Sequence, residues 1–256
     1  MKTQGQGWQN TLLIFLSLLL YACGSQIYHY VKRGETLYSI SFQYGQDYRD
    51  VAYWNSIKPP YTIYPHQRLR VYDLPEGATP PSLPPITSLS DSEKRHSNSE
   101  PVPATRQITK RDSSQVIKKH SPPSPVSLQA NGKLKWVWPA RGKLIRTFSK
   151  NDNTRKGLDI SNRRGSTVRA AAAGNVVYSG SGLVRYGNLI IIKHNDSFLS
   201  AYAHNRKLLV KEGQTVKAGQ VIAEMGDSGS ERVMLHFEIR YNGNPVDPLR
   251  YLPRRG

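Results

Sequence analysis

Between residues 73 and 132 the chain carries 10 of its 17 prolines together with 11 serines. A stretch of that composition cannot bury enough apolar area to offset the entropy of ordering it, and its prolines keep it extended. The 256-residue chain is therefore expected to build its cores on either side, in residues 27–72 and 133–256. Residues 73–132 are then a disordered linker that supplies reach. Charge follows the same division. Residues 1–72 hold 7 Lys/Arg against 3 Asp/Glu, residues 73–132 hold 7 against 6, and residues 133–256 hold 22 against 9. The C-terminal part is the basic one, which suits an anionic polymer, an acidic protein or a membrane face. Nucleic acid fits the charge equally well, and only the address of the chain excludes it.

The address lies in the first 23 residues. Lys2 precedes the apolar run Thr11 to Leu20, which is shorter than the roughly 20 residues of a membrane-spanning helix. It has the length of a signal-peptide core. Cys23 is the single cysteine, so it forms no internal disulfide, and a lone thiol in an exported chain calls for another role. Leu20-Tyr21-Ala22-Cys23 resembles the bacterial lipobox. That resemblance implies residues 1–22 as a signal peptide, residues 23–26 as a lipidated N-terminus, and diacylglycerol on Cys23. Two or three acyl chains, at about 0.8 kcal/mol per buried CH₂, make a stable anchor. Gly24 after the cysteine implies sorting to the outer membrane, so the expected location is an outer-membrane lipoprotein facing the periplasm.

Residues 27–72 read as strand, helix, helix, strand. Tyr28 to Val31 has strand character, Thr36 is a helix N-cap before Leu37, Ile40 and Ser41, and Gly45 ends that helix. A second helix from Asp47 to Asn55 carries Val51, Ala52 and Trp54, Pro59-Pro60 breaks it, and "RLRVY" returns as a strand. The pattern "YxVxxGETLxxI" with Gly45, Val51, Asn55, Ile63 and "QRLRV" resembles a LysM domain, which implies binding to peptidoglycan. The sequence departs from that family at His66, where a glycine is usual.

Residues 133–256 show dense period-two patterning and turns, with no helix of ten residues. "NVVYSG", "NLIIIKH", "FLSAYAH", "KLLV" and "MLHFEIRY" are strand candidates, separated by glycine-bearing turns. The expectation is a mainly β chain with a small α+β module, the large domain being an antiparallel β-sandwich. In "RVMLHFEIRY", Val233, Leu235, Phe237 and Ile239 point one way, and Met234, His236, Glu238 and Arg240 point the other.

Polar clusters recur at "RKGLDIS", "SAYAHN" and "LHFEIR". His and Asp from separate strands can converge on zinc. With "YGNLIIIKH", "VKAGQVIA" and "MGDSG" in order between them, residues 136–253 resemble the LytM, or lysostaphin-like, zinc endopeptidases. More closely they resemble the NlpD-type lipoproteins, LysM-plus-LytM activators of cell-wall amidases. Active LytM members carry His-x-x-x-Asp, Tyr-x-His and His-x-His. Carried over by position, Asp159 and His236 match metal ligands and His204 a catalytic histidine. Arg155 stands where a ligand histidine belongs, and Met234 where the second catalytic histidine belongs.

Both replacements act in one direction. Arginine has no lone pair to donate, and a thioether suits Cu(I) better than zinc. A catalytic zinc keeps three protein ligands, so the resemblance implies a degenerate peptidase domain without zinc and without catalysis. Arg155 is expected to pair with Asp159 in the ion's place. The partner groove is expected to comprise Arg155, Asp159, Tyr202, His204, Met234 and His236, and to dock a periplasmic N-acetylmuramoyl-L-alanine amidase for septal peptidoglycan splitting. Two alternatives stay open: a zinc endopeptidase with His194 as the spare ligand, and a passive wall tether through LysM. The "GDSG" at Gly226–Gly229 echoes a serine-protease segment, but it reads as a glycine-rich turn.

Overall fold

In the computed structural model the described residues are 27–72 and 134–255. The proposed signal peptide, the lipidation site Cys23 and the 73–132 linker lie outside the described residues.

The N-terminal module pairs β1 (Tyr28–Tyr30) with β2 (Arg68–Arg70) antiparallel, around α1 (Leu37–Tyr44) and α2 (Tyr48–Trp54). Thr36 caps α1 in a capping box, its side chain accepting from the Ser39 amide while the Ser39 hydroxyl accepts from the Thr36 amide. Gly45 ends the helix in the left-handed conformation, φ 70°. Asp47 caps α2. Leu37, Ile40, Val51, Ala52, Leu69 and Val71 form the module's own core. His66 has φ 70°, a conformation that favours glycine, which explains the glycine usual at that place in LysM domains.

The C-terminal part is mostly β, as expected, and its strands are antiparallel. They are β3 (Lys143–Arg146), β4 (Leu158–Ser161), β5 (Thr167–Arg169), β6 (Gly174–Gly180), β7 (Asn188–Lys193), β8 (Phe198–Leu208), β9 (Thr215–Val216), β10 (Val221–Met225), β11 (Leu235–Tyr241) and β12 (Asn244–Val246). The hydrogen-bonded order is β3-β4-β11-β8-β7-β6-β9, with β12 beside β11, and with β10 joining β8 to β5. "KLLV" is not a separate strand; β8 takes in its first two residues and ends at Leu208. Period two sets the two faces of the sheet. Ile190, Ile192, Tyr202, Leu235, Phe237 and Ile239 point into the main core with Leu158 and Ile160. Leu189, Ile191, Leu199, Ala201 and Ala203 point to the outer face and form a second cluster.

Candidate functional site

β11 is the strand that assembles the site. Its alternation buries Leu235, Phe237 and Ile239 in the core and leaves His236, Glu238 and Arg240 on the opposite face. β4 runs along one edge and sets Asp159 directly across from His236; β8 runs along the other and sets Ala203 there, with His204 next. Gly157, at the entry to β4, abuts the Phe237 carbonyl so closely that no Cβ fits between them. Close approach of β4 to β11 therefore requires glycine at that point.

Outer-face polar groups form one continuous chain. Arg146 Nε lies 3.0 Å from Asp159 Oδ2, and Asp159 Oδ1 lies 2.6 Å from His236 Nδ1. His236 Nε2 is 3.1 Å from Glu238 Oε1, which also accepts from the Tyr186 hydroxyl at 3.0 Å. Arg240 Nε donates to Glu238 Oε2 at 2.9 Å. Asp159, Glu238 and Arg240 are almost wholly buried, where a lone charge is costly and a chain of opposite charges is tolerated.

Both nitrogens of His236 face a carboxylate, so the ring donates twice, as an imidazolium. Burial alone would lower its pKa, but the hydrogen bonds and charges of Asp159 and Glu238 outweigh burial and raise it to about 9. Burial would likewise raise Glu238; the Arg240 charge and the bond from His236 hold it down at about 2. His204 behaves oppositely: burial lowers its pKa, outweighing the bond that its Nδ1 donates to the Ser228 carbonyl at 2.8 Å. It sits at φ 65°, a strained conformation for a residue with a side chain, and such strain collects at functional sites.

The remaining expected residues divide. Met234 is buried just before β11, with its amide bonded to the Gly226 carbonyl at 2.9 Å. Arg155 does not pair with Asp159, contrary to expectation. Its Nε donates to the Thr147 carbonyl at 2.9 Å and its Nη2 to Thr147 Oγ1 at 3.0 Å, and the partner of Asp159 is Arg146. The register explains this: Arg146 is paired across from Asp159 at a bulge in the β3–β4 ladder. Tyr202 is fully buried on the core face, its hydroxyl accepting from the Ala171 amide at 2.7 Å and from Ser200 Oγ at 2.8 Å, so it stands apart from the groove residues. His194 belongs to that same inner network, with its nitrogens 2.8 Å from the Ala173 carbonyl and 2.7 Å from Ser200 Oγ. Burial lowers its pKa to about 4. Ser228 of the "GDSG" segment bonds the Asn188 amide and the Asn205 carbonyl and acts as a clasp for a turn.

The side chains at the expected metal positions are bonded to one another or to neighbours. His236 has both nitrogens committed to carboxylates, Asp159 accepts from His236 and Arg146, and Arg155 is turned to Thr147. The guanidinium of Arg146 and the imidazolium of His236 both bring positive charge to Asp159. Beside Arg146 a cavity of about 490 Å³ opens, with Ile145, Thr147, Asp152 and Arg155 among its walls.

Arg146 and Tyr186 are not signalled by the sequence. Neither carries a local cue: Arg146 ends a weak four-residue strand, and Tyr186 lies in a loop. Glu238 and Arg240 are legible as the polar face of β11, but their partners are not.

The chain matches the model of peptidase family M23 over residues 153–248 and that of the LysM domain over residues 29–71. It is 45% identical over 233 residues to a lipoprotein NlpD/LppB homolog of Pseudomonas aeruginosa, covering 88% of this chain and 76% of that one. It is 42% identical over 255 residues to the uncharacterized lipoprotein YgeR of Escherichia coli, covering 96% and 92%. It is also 40% identical over 256 residues to the murein hydrolase activator NlpD of Escherichia coli, covering 88% and 67%. On this likeness, and with LysM and M23 domains in the same order, the chain belongs to the NlpD/LppB family of lipoproteins.

Proposed function

We propose that the chain is a non-catalytic activator of a periplasmic N-acetylmuramoyl-L-alanine amidase, serving septal peptidoglycan splitting and cell separation. Cys23 carries the lipid that holds it to the outer membrane, and the LysM module binds peptidoglycan. The M23 domain, working without zinc, docks the amidase through the groove that contains Arg155, Asp159, His204, Met234 and His236. One observation carries the reading: both nitrogens of His236 are committed to carboxylates, while a cavity beside Arg146 stays open. A peptidase cleft whose metal-ligand positions are bonded to one another is suited to binding a partner. Activation then needs only that the groove bind the amidase's open state better than its closed state. The basic surface speeds encounter more than it adds affinity.

The test uses purified protein, purified peptidoglycan and a purified amidase. The protein alone is expected to release no wall fragments, and to increase release several-fold when the amidase is present. Chelator-sensitive cleavage by the protein alone would reject the activator reading in favour of an endopeptidase, and absence of any effect on amidases would leave a wall tether.

A further inference from the structure

Helix α1 has two apolar faces, and the N-terminal module uses only one of them. Leu37 and Ile40 enter the module's own core. Phe42 points away from it and packs with Leu189, Ile191 and Ala201 on the outer face of the large sheet; Tyr38, one turn earlier on the same face, reaches that cluster too while its ring packs on Tyr48 and Tyr61 of the module. Phe42 is only 2% exposed although the module's fold does not need it. An apolar ridge that serves no internal core is there to meet another surface.

Polar contacts fasten the same seat at well-separated points. Arg240 Nη1 donates to the Phe42 carbonyl at 2.6 Å, adding to the bond from the Gly45 amide a cation at the last turn of α1, where the helix dipole favours one. The Arg240 guanidinium also lies 3.4 Å from the Phe42 ring centroid. Thr36 Oγ1 donates to the Val177 carbonyl at 3.1 Å, and Arg49 Nη2 donates to Asn242 Oδ1 at 2.9 Å. Gly243 approaches the backbone of Gln46 and Asp47 so closely that no Cβ could be accommodated. The seat leads directly to the site. Arg240 ends the ion-paired chain through Glu238 to His236, and the Tyr186 ring lies 5.4 Å from that of Phe42 and 6.2 Å from that of His236.

We infer that the LysM module is the built-in occupant of this sheet face: in a closed state α1 covers the strip from Leu189 to Arg240 that runs up to His236, and any partner that needs the strip must first displace the module. The inference stands on these contacts alone, whichever partner the groove takes. Displacement would bare Leu189, Ile191, Leu199 and Ala201, an apolar strip that water disfavours, so the closed state is the resting one. A competing ligand shifts the balance by its preference for the open state.

The experiment places a reporter thiol under the module: Ala201→Cys in the full chain carrying Cys23→Ser, probed with a soluble maleimide. Two independent changes open the seat. Phe42→Glu puts a carboxylate into the apolar strip, and Gly243→Asn adds a Cβ against Gln46 and Asp47 while tolerating the left-handed backbone (φ 74°). Phe42→Leu is the conservative control, and amide NMR signals of the Leu37–Ile40–Leu69 core report that the module stays folded. Labelling of the introduced thiol is expected to be slow in the parent and in Phe42→Leu, and at least tenfold faster in both opening variants. Rapid labelling in the parent, or protection that persists in both opening variants while the module remains folded, would overturn the inference.

Discussion

The alkaline side of the stability profile should belong to one side chain. His236 in the folded chain is raised from the ordinary 6.5 to about 9, because its bonds to the Asp159 and Glu238 carboxylates, and their charges, outweigh burial. A group whose folded pKa is raised contributes stability that is fully present below the unfolded value and disappears as pH climbs through the folded value. The window is therefore pH 6.5 to about 9. At about 1.4 kcal/mol per pH unit, the loss across it is on the order of 3 kcal/mol. Acid-side groups leave this window alone. His194 and His204 are lowered by burial, so their cost grows as pH falls below 6.5. Glu238, held at about 2, contributes stability that is lost only below its ordinary range. Stability should thus peak near pH 6.5 and fall on both sides. Urea unfolding at half-unit pH steps, followed by the fluorescence of Trp136 and Trp138, measures it. His236→Gln keeps polar groups facing both carboxylates but does not titrate, and its profile should be flat from pH 6.5 to 9. A parent profile that is level or rising over that interval, or an equal slope in His236→Gln, would refute the assignment.

Glu238→Ala leaves the buried Arg240 and His236 without their shared counter-charge and should cost about 3–5 kcal/mol in urea unfolding, since breaking a buried pair is far costlier than never having built it. Thr36→Ala removes the α1 cap and the bond to the Val177 carbonyl; about 1 kcal/mol for the cap should appear as a lowered melting temperature. Arg155→His with Met234→His restores two donors, but Arg146 still occupies Asp159. Metal analysis should therefore find little zinc in the double variant and close to one equivalent once Arg146→Ala is added. Equal zinc in both would show that Arg146 does not hold the seat.

The small module is legible almost in full. Thr36, Gly45, Asp47 and Asn55 are local signals, each fixing a helix end through bonds to neighbouring backbone, and local signals survive in a linear reading. The longer strands β6, β7, β8 and β11 are equally plain: β6 and β11 show the alternation of apolar residues, and residues 189–192 of β7 are an unbroken apolar run buried on both faces. Short strands such as β3, β5 and β9 are not. With two to four residues and mixed composition, they owe their state to a neighbour's ladder.

Within the site, Asp159, His204 and His236 are identified by motif; the β4–β11 register sets Asp159 across from His236, while His204, of the same parity as Tyr202, reaches the site where its positive φ and a bulge in the β7–β8 ladder break the alternation. Arg155 fails as the partner of Asp159 because spacing along the chain says nothing of a bulge in β3, and that bulge is what brings Arg146 across instead. Tyr202 fails because its parity in β8 is opposite to that of Ala203, which turns it to the core.

By itself the sequence determined the kinds of element in the strongly patterned segments and the faces those segments bury, since these depend on residue type and on periods of two and 3.6. Only the tertiary structure decided that Arg146 takes the place at Asp159, that His236 is held between two carboxylates, and that Phe42 closes over the sheet beside Arg240. Those depend on which segments, up to 198 residues apart along the chain, meet in space, and contact between distant segments leaves no period to read.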